Sequence, residues 1–316
     1  MPRDSAAVAV INYNGRRYLP ELLDSLAAQD RQPSEWIFVD NDSNDGSVEY
    51  LAQRHPRARL LPQRRNLGFA RAANLAVESA NARFVALLNA DLKLDPAWLG
   101  EMVRTAERTG AAAVASKILL YDRPRTLNGV GGCMNFLGYT WDRGMWESDD
   151  GQYDEAAEVL FASAGAAVFD RGSFLSAGSF DARFFMYHED VDLCWRLWLF
   201  GERVVTCPGA VAYHHFGGAT KAARGMEWRE LLGERNNIRT LIKNYEFPNL
   251  RRSLAGLLAL RQPSRRKLLQ LRNFAWNLFF LPETLALRRK IQRRRKRADR
   301  EISRLIVESK DVPIRL

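Results

Sequence analysis

Short β-branched or apolar runs at 7–11, 36–39, 59–61, 84–88 and 112–115 alternate with segments of helical period at 18–29, 47–54, 69–79 and 96–109. A chain written this way folds as a sheet with helices packed on its faces, because each run is too short for a buried helix and each helical stripe needs a face to cover it. Pro96 suits a first helical turn and Gly110 a helix stop. Polar residues follow three of the runs: Asn12 and Asn14 after the first, Asp40, Asn41 and Asp42 after the second, Asn89 and Asp91 after the fourth. In open parallel sheets that edge is where ligands bind. Taken singly, NYNG and DNDSNDGS are also good turn chemistry, since Asn, Asp, Ser and Gly all stabilise turns and caps. Their coincidence on one edge points to a nucleotide pocket.

Residues 117–160 lose this rhythm, with Gly129, Gly131, Gly132, Gly138 and Gly144 scattered among aromatics, and are expected to form an irregular loop region over the site. A strand at 164–169, a helix at 189–200 and strands at 203–206 and 210–214 are predicted next. From Met226 the chain reads as helical to its end, interrupted at Pro248, Pro263 and Pro282. Three widely separated cysteines suggest neither a disulfide framework nor a zinc knuckle. The start, MPRDSAAVAVINYNG, lacks the apolar stretch of a secretory signal, and no uninterrupted apolar run of about 18 residues occurs, so a cytoplasmic protein without a spanning helix is expected. The net charge of +10 is unevenly placed. Residues 1–250 carry 28 cationic against 32 anionic side chains, and residues 251–316 carry 19 against 5. A cationic end on a nearly neutral body predicts an anionic partner surface, a lipid leaflet or a nucleic acid.

Neither a GxxxxGKS/T loop nor a GxGxxG follows the first strand, which argues against a P-loop NTPase and a dinucleotide dehydrogenase. A diphosphate can instead be neutralised by a divalent ion, and VALLNADLKLDP puts Asp91 just beyond a buried strand as a hard oxygen ligand. The alternative makes Asp91 a cap for the helix near Pro96. In FDARFFMYHEDVDLCWRLWLFGERV, the acids Glu189, Asp190 and Asp192 stand beside His188 at the head of a helix whose Val191, Cys194, Trp195 and Trp198 share one apolar face. The macrodipole favours acids there, but an acceptor hydroxyl must also lose its proton to a carboxylate, and Asp190 is the candidate base. Two adjacent histidines, His214 and His215, follow in AVAYHHFGGAT. One of them could complete a metal site with Asp91, since imidazole joins carboxylate around Mn or Zn more readily than around Mg; a structural role is the alternative.

The ordered motifs VAVINYNG, FVDNDSNDGS, NLGFARAANLA, LLNADLKLDP, FMYHEDVDLCWR, HHFGG and ERNNIRTLIKNY resemble glycosyltransferase family 2, inverting enzymes of GT-A fold, and in detail its bacterial rhamnosyltransferase-type members. The resemblance implies an α/β, Rossmann-like, mixed and mostly parallel sheet flanked by helices over 1–245, with the nucleotide half at about 1–116 and the acceptor half at about 117–245. A basic amphipathic helical tail at 246–316 follows. The resemblance also implies that Asn12, Tyr13, Asn14 and Asp40 line the base and ribose pocket and that Asn66, Gly68 and Arg71 close over the nucleotide. Asn89 and Asp91 fall on the DxD position, here NxD, so that one metal carboxylate is absent. Asp190, with Glu189 beside it, matches the catalytic base motif, and His215 rather than His214 matches the histidine that approaches the metal, Mg or Mn. The implied activity is transfer of one sugar, rhamnose-like or another hexose, from a nucleoside-diphosphate sugar to a hydroxyl of a lipid-linked or cell-envelope glycan. The absence of a QxxRW motif favours a single transfer over processive synthesis.

Arg235 is open to two readings, a contact to the diphosphate or a lipid-linked phosphate, or a solvated helix face. In the tail, LAGLLAL and NFAWNLFFL alternate with RRK and RRKIQRRRKR, which suits a helix lying in the interface of an anionic membrane at the inner face of the cell. The rivals are a nucleic-acid-binding module, disfavoured because the aromatics cluster with Leu rather than with the basic residues, a sugar nucleotidyltransferase, and a non-catalytic sugar-nucleotide-binding homologue.

Overall fold

The computed structural model describes residues 5–216, 226–259 and 264–307. Gly217 and Gly218 of the HHFGG run, the side chains of the RRK at 265–267 and residues 308–316 lie outside the described residues. The frame begins with β1 (Ala6–Asn12), α1 (Leu19–Ala27), β2 (Glu35–Asp40), α2 (Ser47–Arg54), β3 (Arg59–Pro62), α3 (Phe69–Ser79) and β4 (Phe84–Asn89). The chain runs outward from β1 through β2 to β3 and then returns to the other side of β1 as β4, all in parallel register. That reversal opens a crevice beyond the strand ends between β1 and β4, where Asn12 stands level with Asp40 and Ile11 with Asn89.

Alternation along β1 explains why both faces are covered. Val8 and Val10 pack with Leu22, Leu26, Trp98 and Met102 on one face. On the other, Ala7 and Ala9 pack with Ala72, Ala73 and Ala76, small residues that let α3 lie close to the sheet. After β5 (Leu92–Leu94) and α4 (Trp98–Thr109), which stops at a left-handed Gly110, come β6 (Ala113–Leu120), β7 (Arg123–Val130), β8 (Gly132–Asn135) and β9 (Thr140–Asp142). Next are β10 (Ala166–Asp170), α5 (Arg171–Ser176), α6 (Glu189–Leu199) and β11 (Val204–His214). The main sheet reads β3-β2-β1-β4-β10-β6-β11-β5, with β7 on β6. β10 is antiparallel to both neighbours, while β6 and β11 are parallel.

Two expectations are corrected here. The stretch 117–160 is not an irregular loop: it carries the end of β6 and all of β7, β8 and β9. Its glycines mark close approach instead, since a Cβ on Gly132 would lie 2.0 Å from the Phe161 ring. The two strands expected at 203–206 and 210–214 are one strand, β11, with its register shifted between Cys207 and Val211.

The C-terminal part holds α7 (Met226–Asn244), α8 (Phe247–Ala259), α9 (Ser264–Phe279), α10 (Leu281–Arg294) and α11 (Asp299–Ile302). Pro248 and Pro282 begin helices, where a missing N–H costs nothing. The described chain does not end in a helix. Its last element, β12 (Ile306–Val307), pairs in parallel with β8 to extend a small second sheet with β9. Much of the tail's charge is used within the protein: Arg297 donates to the carbonyls of Gly201 and Glu202, Arg288 to those of Ile242 and Tyr245, and Arg295 to Asp299.

Helix α6 is buried almost all round rather than on one face. Asp192, expected among the acids at the site, turns into a closed ion network. It accepts from Arg196 at 2.9 Å, Lys243 at 2.8 Å and Asn244 at 2.9 Å, and Lys243 also donates to Asp181 at 2.7 Å. Burial alone would raise both carboxyls. Lys243 and Arg239 hold Asp181 far below the usual carboxylate range, and Lys243 and Arg196 lower Asp192. Replacing Lys243 by Met leaves two buried carboxylates facing each other and is expected to cost about 3–5 kcal/mol in denaturant unfolding at neutral pH. Because these carboxyls are depressed, their contribution is full above the ordinary carboxylate range and is lost progressively as pH falls from there through their lower folded-state values. The deficit of the variant therefore shrinks below about pH 4.

Candidate active site

At the crevice between β1 and β4 lies a cavity of about 230 Å³ whose walls include Tyr13, Asn66, Gly68, Asn89, Asp91, Glu189 and Asp190. Residues far apart in the chain thus meet at one place. Asn12 and Asp40 do not face the cavity. They are buried just behind it, with Asn12 Nδ2 donating to Asp40 Oδ1 at 2.7 Å and the backbone N–H of Ser43 donating to Asp40 Oδ2 at 2.9 Å. Asn14, at φ 52°, ties the same loops together: its N–H donates to Ser43 Oγ and its Oδ1 accepts from the N–H of Asn44. Arg71 is exposed on α3, away from the lining. Asn41, passed over as a site residue, does line the cavity and fixes the next loop, donating to Asn66 Oδ1 at 3.1 Å and accepting from the N–H of Leu67 at 2.7 Å. Gly68 has φ +79°, and a Cβ there would come within 2.4 Å of the Phe185 carbonyl, so only glycine lets this loop touch the loop before α6.

The capping alternative for Asp91 is answered by Asp95, whose Oδ1 accepts from the N–H of Ala97 ahead of α4. Asp91 itself is nearly buried, and its neighbour is His214, with Nε2 3.5 Å from Oδ1. This corrects the expected pairing with His215. His215, the first residue past the end of β11, turns away to Glu21, 3.0 Å from its Nε2, and stacks on Tyr121 with centroids 3.7 Å apart. The other ring nitrogen of His214 lies 2.7 Å from Asn128 Oδ1, which orients the imidazole. Asp91 and His214 offer one oxygen and one imidazole donor, a set that suits Mn better than Mg. Among the described residues no three His, Cys, Asp or Glu side chains gather as a metal-binding group.

The two acid motifs are joined through adjacent residues that sequence reading missed. The Ala164 N–H donates to Asp190 Oδ2 at 3.2 Å, and the Gly165 carbonyl accepts from the Asn89 N–H at 2.8 Å. Gly165 must be small, because a Cβ would lie 2.7 Å from Asn89 Nδ2. Asp190 Oδ1 also accepts from the N–H of Val191 at 2.8 Å. Burial, with Asp142 adding its charge, outweighs these donors and pushes the Asp190 carboxyl up to about 6. Glu189 is raised well above the ordinary range by burial and by Asp190, and its Oε2 has no hydrogen-bond partner among the described residues. The pair shares negative charge reluctantly, which leaves one proton available to hold or move near neutral pH.

The loop that delivers these acids is strained. Phe185, Tyr187 and His188 have φ of 67°, 70° and 68°. Asn236 on α7 holds it, donating from Nδ2 to the carbonyls of Phe184, Met186 and Tyr187 at 3.1, 3.0 and 2.8 Å. Arg235 is not on a solvated face. It donates to the carbonyls of Arg183 and Phe184 and lies over Trp276. The ERNN run is therefore the clamp of the acid loop.

A family model described as Glycosyl transferase family 2 matches residues 7–175. The chain belongs to glycosyl transferase family 2. This transferase is 29% identical over 239 residues to N-acetylglucosaminyl-diphospho-decaprenol L-rhamnosyltransferase of Mycobacterium tuberculosis, covering 69% of this chain and 78% of that one. It is 30% identical over 212 residues to the O-antigen biosynthesis protein RfbC of Myxococcus xanthus, covering 65% of this chain and 17% of that longer protein. In fold it is similar to GalNAc-T7 crystallised with UDP, GalNAc and Mn2+, with TM-score 0.65 and 14% identity over 85% of this chain and 54% of that one, so it spans about half of that protein. It is also similar to S. aureus TarS in complex with UDP, with TM-score 0.55 and 17% identity over 80% of this chain and 70% of that one. At these identities the likeness is one of fold, and it is the GT-A fold that the transferase's motifs imply.

Asn236→Ala leaves three loop carbonyls of the transferase without their donor. It is expected to lose about 1–3 kcal/mol in chemical denaturation and to speed amide hydrogen exchange at 184–188 ahead of the rest of α6.

Proposed function

We propose that the protein transfers one hexose, of rhamnose type, with inversion from a nucleoside-diphosphate sugar to a hydroxyl of a lipid-linked glycan. The reading rests on one observation above the others: Asp91 and Asp190 open onto the same cavity, with Ala164 bonded to Asp190 and the next residue, Gly165, bonded to Asn89. Asp190 takes the proton of the acceptor hydroxyl. The freed oxygen attacks the anomeric carbon from the face opposite the diphosphate, and the bond to the departing phosphate oxygen breaks. Glu189, raised by burial and by its neighbour, stays protonated and so leaves the negative charge on Asp190. Tyr13, Asn41, Asn66 and Gly68 bind the nucleotide, with Asn12 and Asp40 stiffening the loops behind them. Asp91, with His214 and Asn89 nearby, would hold Mn or Mg. When bound, that ion offsets the charge on the leaving diphosphate. The lipid-linked acceptor is suggested by the mycobacterial relative, whose name carries a diphospho-decaprenol.

Asp190→Asn is expected to lower kcat by about 10²–10⁴ with donor affinity kept, read by sugar transfer and calorimetry. Asp91→Ala is expected instead to weaken donor binding and its dependence on Mn or Mg. For the wild type, kcat/KM falls as pH drops through about 6, because protonation of Asp190 removes the base. Full turnover by the Asp190 variant sinks the assignment.

The residues from 246 onward form the face that meets the membrane in this reading. No described helix is long and apolar enough to cross one. Phe247, Leu258, Leu271, Phe274, Leu278 and Phe279 are nevertheless exposed, on helices that also carry Arg251, Arg252 and Arg272. Each basic residue near an anionic surface contributes about 1 kcal/mol, and the apolar side chains add insertion. The protein is expected to float with phosphatidylglycerol vesicles, and Phe274→Asp with Phe279→Asp to release it. Flotation of wild type and variant alike would remove the assignment.

A further inference from the structure

A second cavity of about 360 Å³ lies between the start of α7 and the junction of α9 and α10, lined by Arg183, Phe185, Trp228, Arg235, Trp276 and Phe280. Phe185 and Trp228, in edge-to-face contact at 5.8 Å, also line the reaction cavity, so the two spaces share a wall. Trp276 and Phe280 pack 4.6 Å apart on the far side. Phe274 and Phe279, on the same helix as Trp276, are exposed.

The charge in this groove is the informative feature. The Arg235 guanidinium is half-buried, 4.2 Å from the Trp276 centroid, and bonds only to Asn236 Oδ1 and two backbone carbonyls. Among the described residues no carboxylate pairs with it. Arg183, 4.5 Å from the Phe280 centroid, shares its charge with Glu283 at 3.0 Å. Burial and the nearby Arg239 lower the Arg235 pKa to about 10, the mark of a cation placed where no anion answers it. An aromatic groove around an unanswered guanidinium fits a ligand that is anionic at one point and apolar beyond it.

Resting on the transferase reading above, we propose that this groove is the acceptor subsite for an isoprenoid diphosphate. Arg235 meets the diphosphate, while Trp228, Trp276 and Phe280 meet the first hydrocarbon units. The sugar carried on that diphosphate then reaches past Phe185 to Asp190.

Farnesyl diphosphate is a soluble probe for this, followed by calorimetry and by tryptophan fluorescence. It should bind the wild-type protein at least about tenfold more tightly than farnesol or inorganic diphosphate, because each lacks one half of the recognition. Arg235→Gln and Trp276→Ala should each weaken it by about tenfold or more, and Trp276→Ala should leave the donor affinity unchanged. Equal binding of farnesol and farnesyl diphosphate, displacement of the probe by a nucleoside diphosphate, or unchanged binding by both variants would overturn the proposal. So would equally tight, Arg235-dependent binding of short-chain phosphatidylglycerol, which makes the groove a membrane-headgroup site. The probe series on the wild type carries the test if Arg235→Gln fails to fold. Transfer activity is measured separately. Arg235-dependent probe binding without any sugar transfer would sink the transferase reading and leave the subsite standing, and transfer without such binding would do the reverse.

Discussion

The head of α6 is held from outside its own segment, and everything the site can do depends on that. Three residues with positive φ do not sit there by preference, and the amide of Asn236 meets the carbonyls that the distorted backbone turns outward. About two turns further along α7, Lys243 fastens Asp192 and Asp181. Helix α7 thus carries both the clamp of the loop and the counter-charge of the helix it positions. The position of Asp190 is set by packing that extends to α10, whose Glu283 completes the network through Arg239.

The same arrangement separates two kinds of acid within one turn. Asp192 points into cations and is held ionised, while Glu189 and Asp190 point into a cavity with few donors and are pushed toward protonation. Neighbouring positions on one helix therefore have opposite electrostatic lives because they leave the axis in different directions. The helix macrodipole, which favours acids at this end in general, does not distinguish them.

Much of the frame was legible in the sequence. α2 and α3 fall where the periodicity puts them, at 47–54 and 69–79, because their apolar stripes need only a sheet face to cover them. The polar strand ends were legible for the same reason. What was not legible follows from contacts that composition cannot see. Asn12 and Asp40 bond to each other instead of lining the cavity. His214 and His215 are adjacent in sequence, but β11 ends at His214 and the two rings part, one toward Asp91 and the other toward Glu21. Gly132 reads as a loop marker until the Phe161 ring is found against it. Ala164 and Gly165 carry no side-chain chemistry at all, and their importance lies in a backbone N–H and C=O. The arginines of the tail looked like a free cationic arm, but carbonyls at the ends of α6 and α7 accept from several of them.

The pairing of β12 with β8 has a consequence for synthesis. Met134 meets Ile306, so the smaller sheet joins the middle of the chain to its far end. On the ribosome the early β-α repeats have local partners and can collapse as they emerge, but the β8 edge that β12 covers waits until residues 306–307 have been made. A chain cut before residue 306 accordingly keeps its nucleotide half but leaves one edge of β8 without its strand partner.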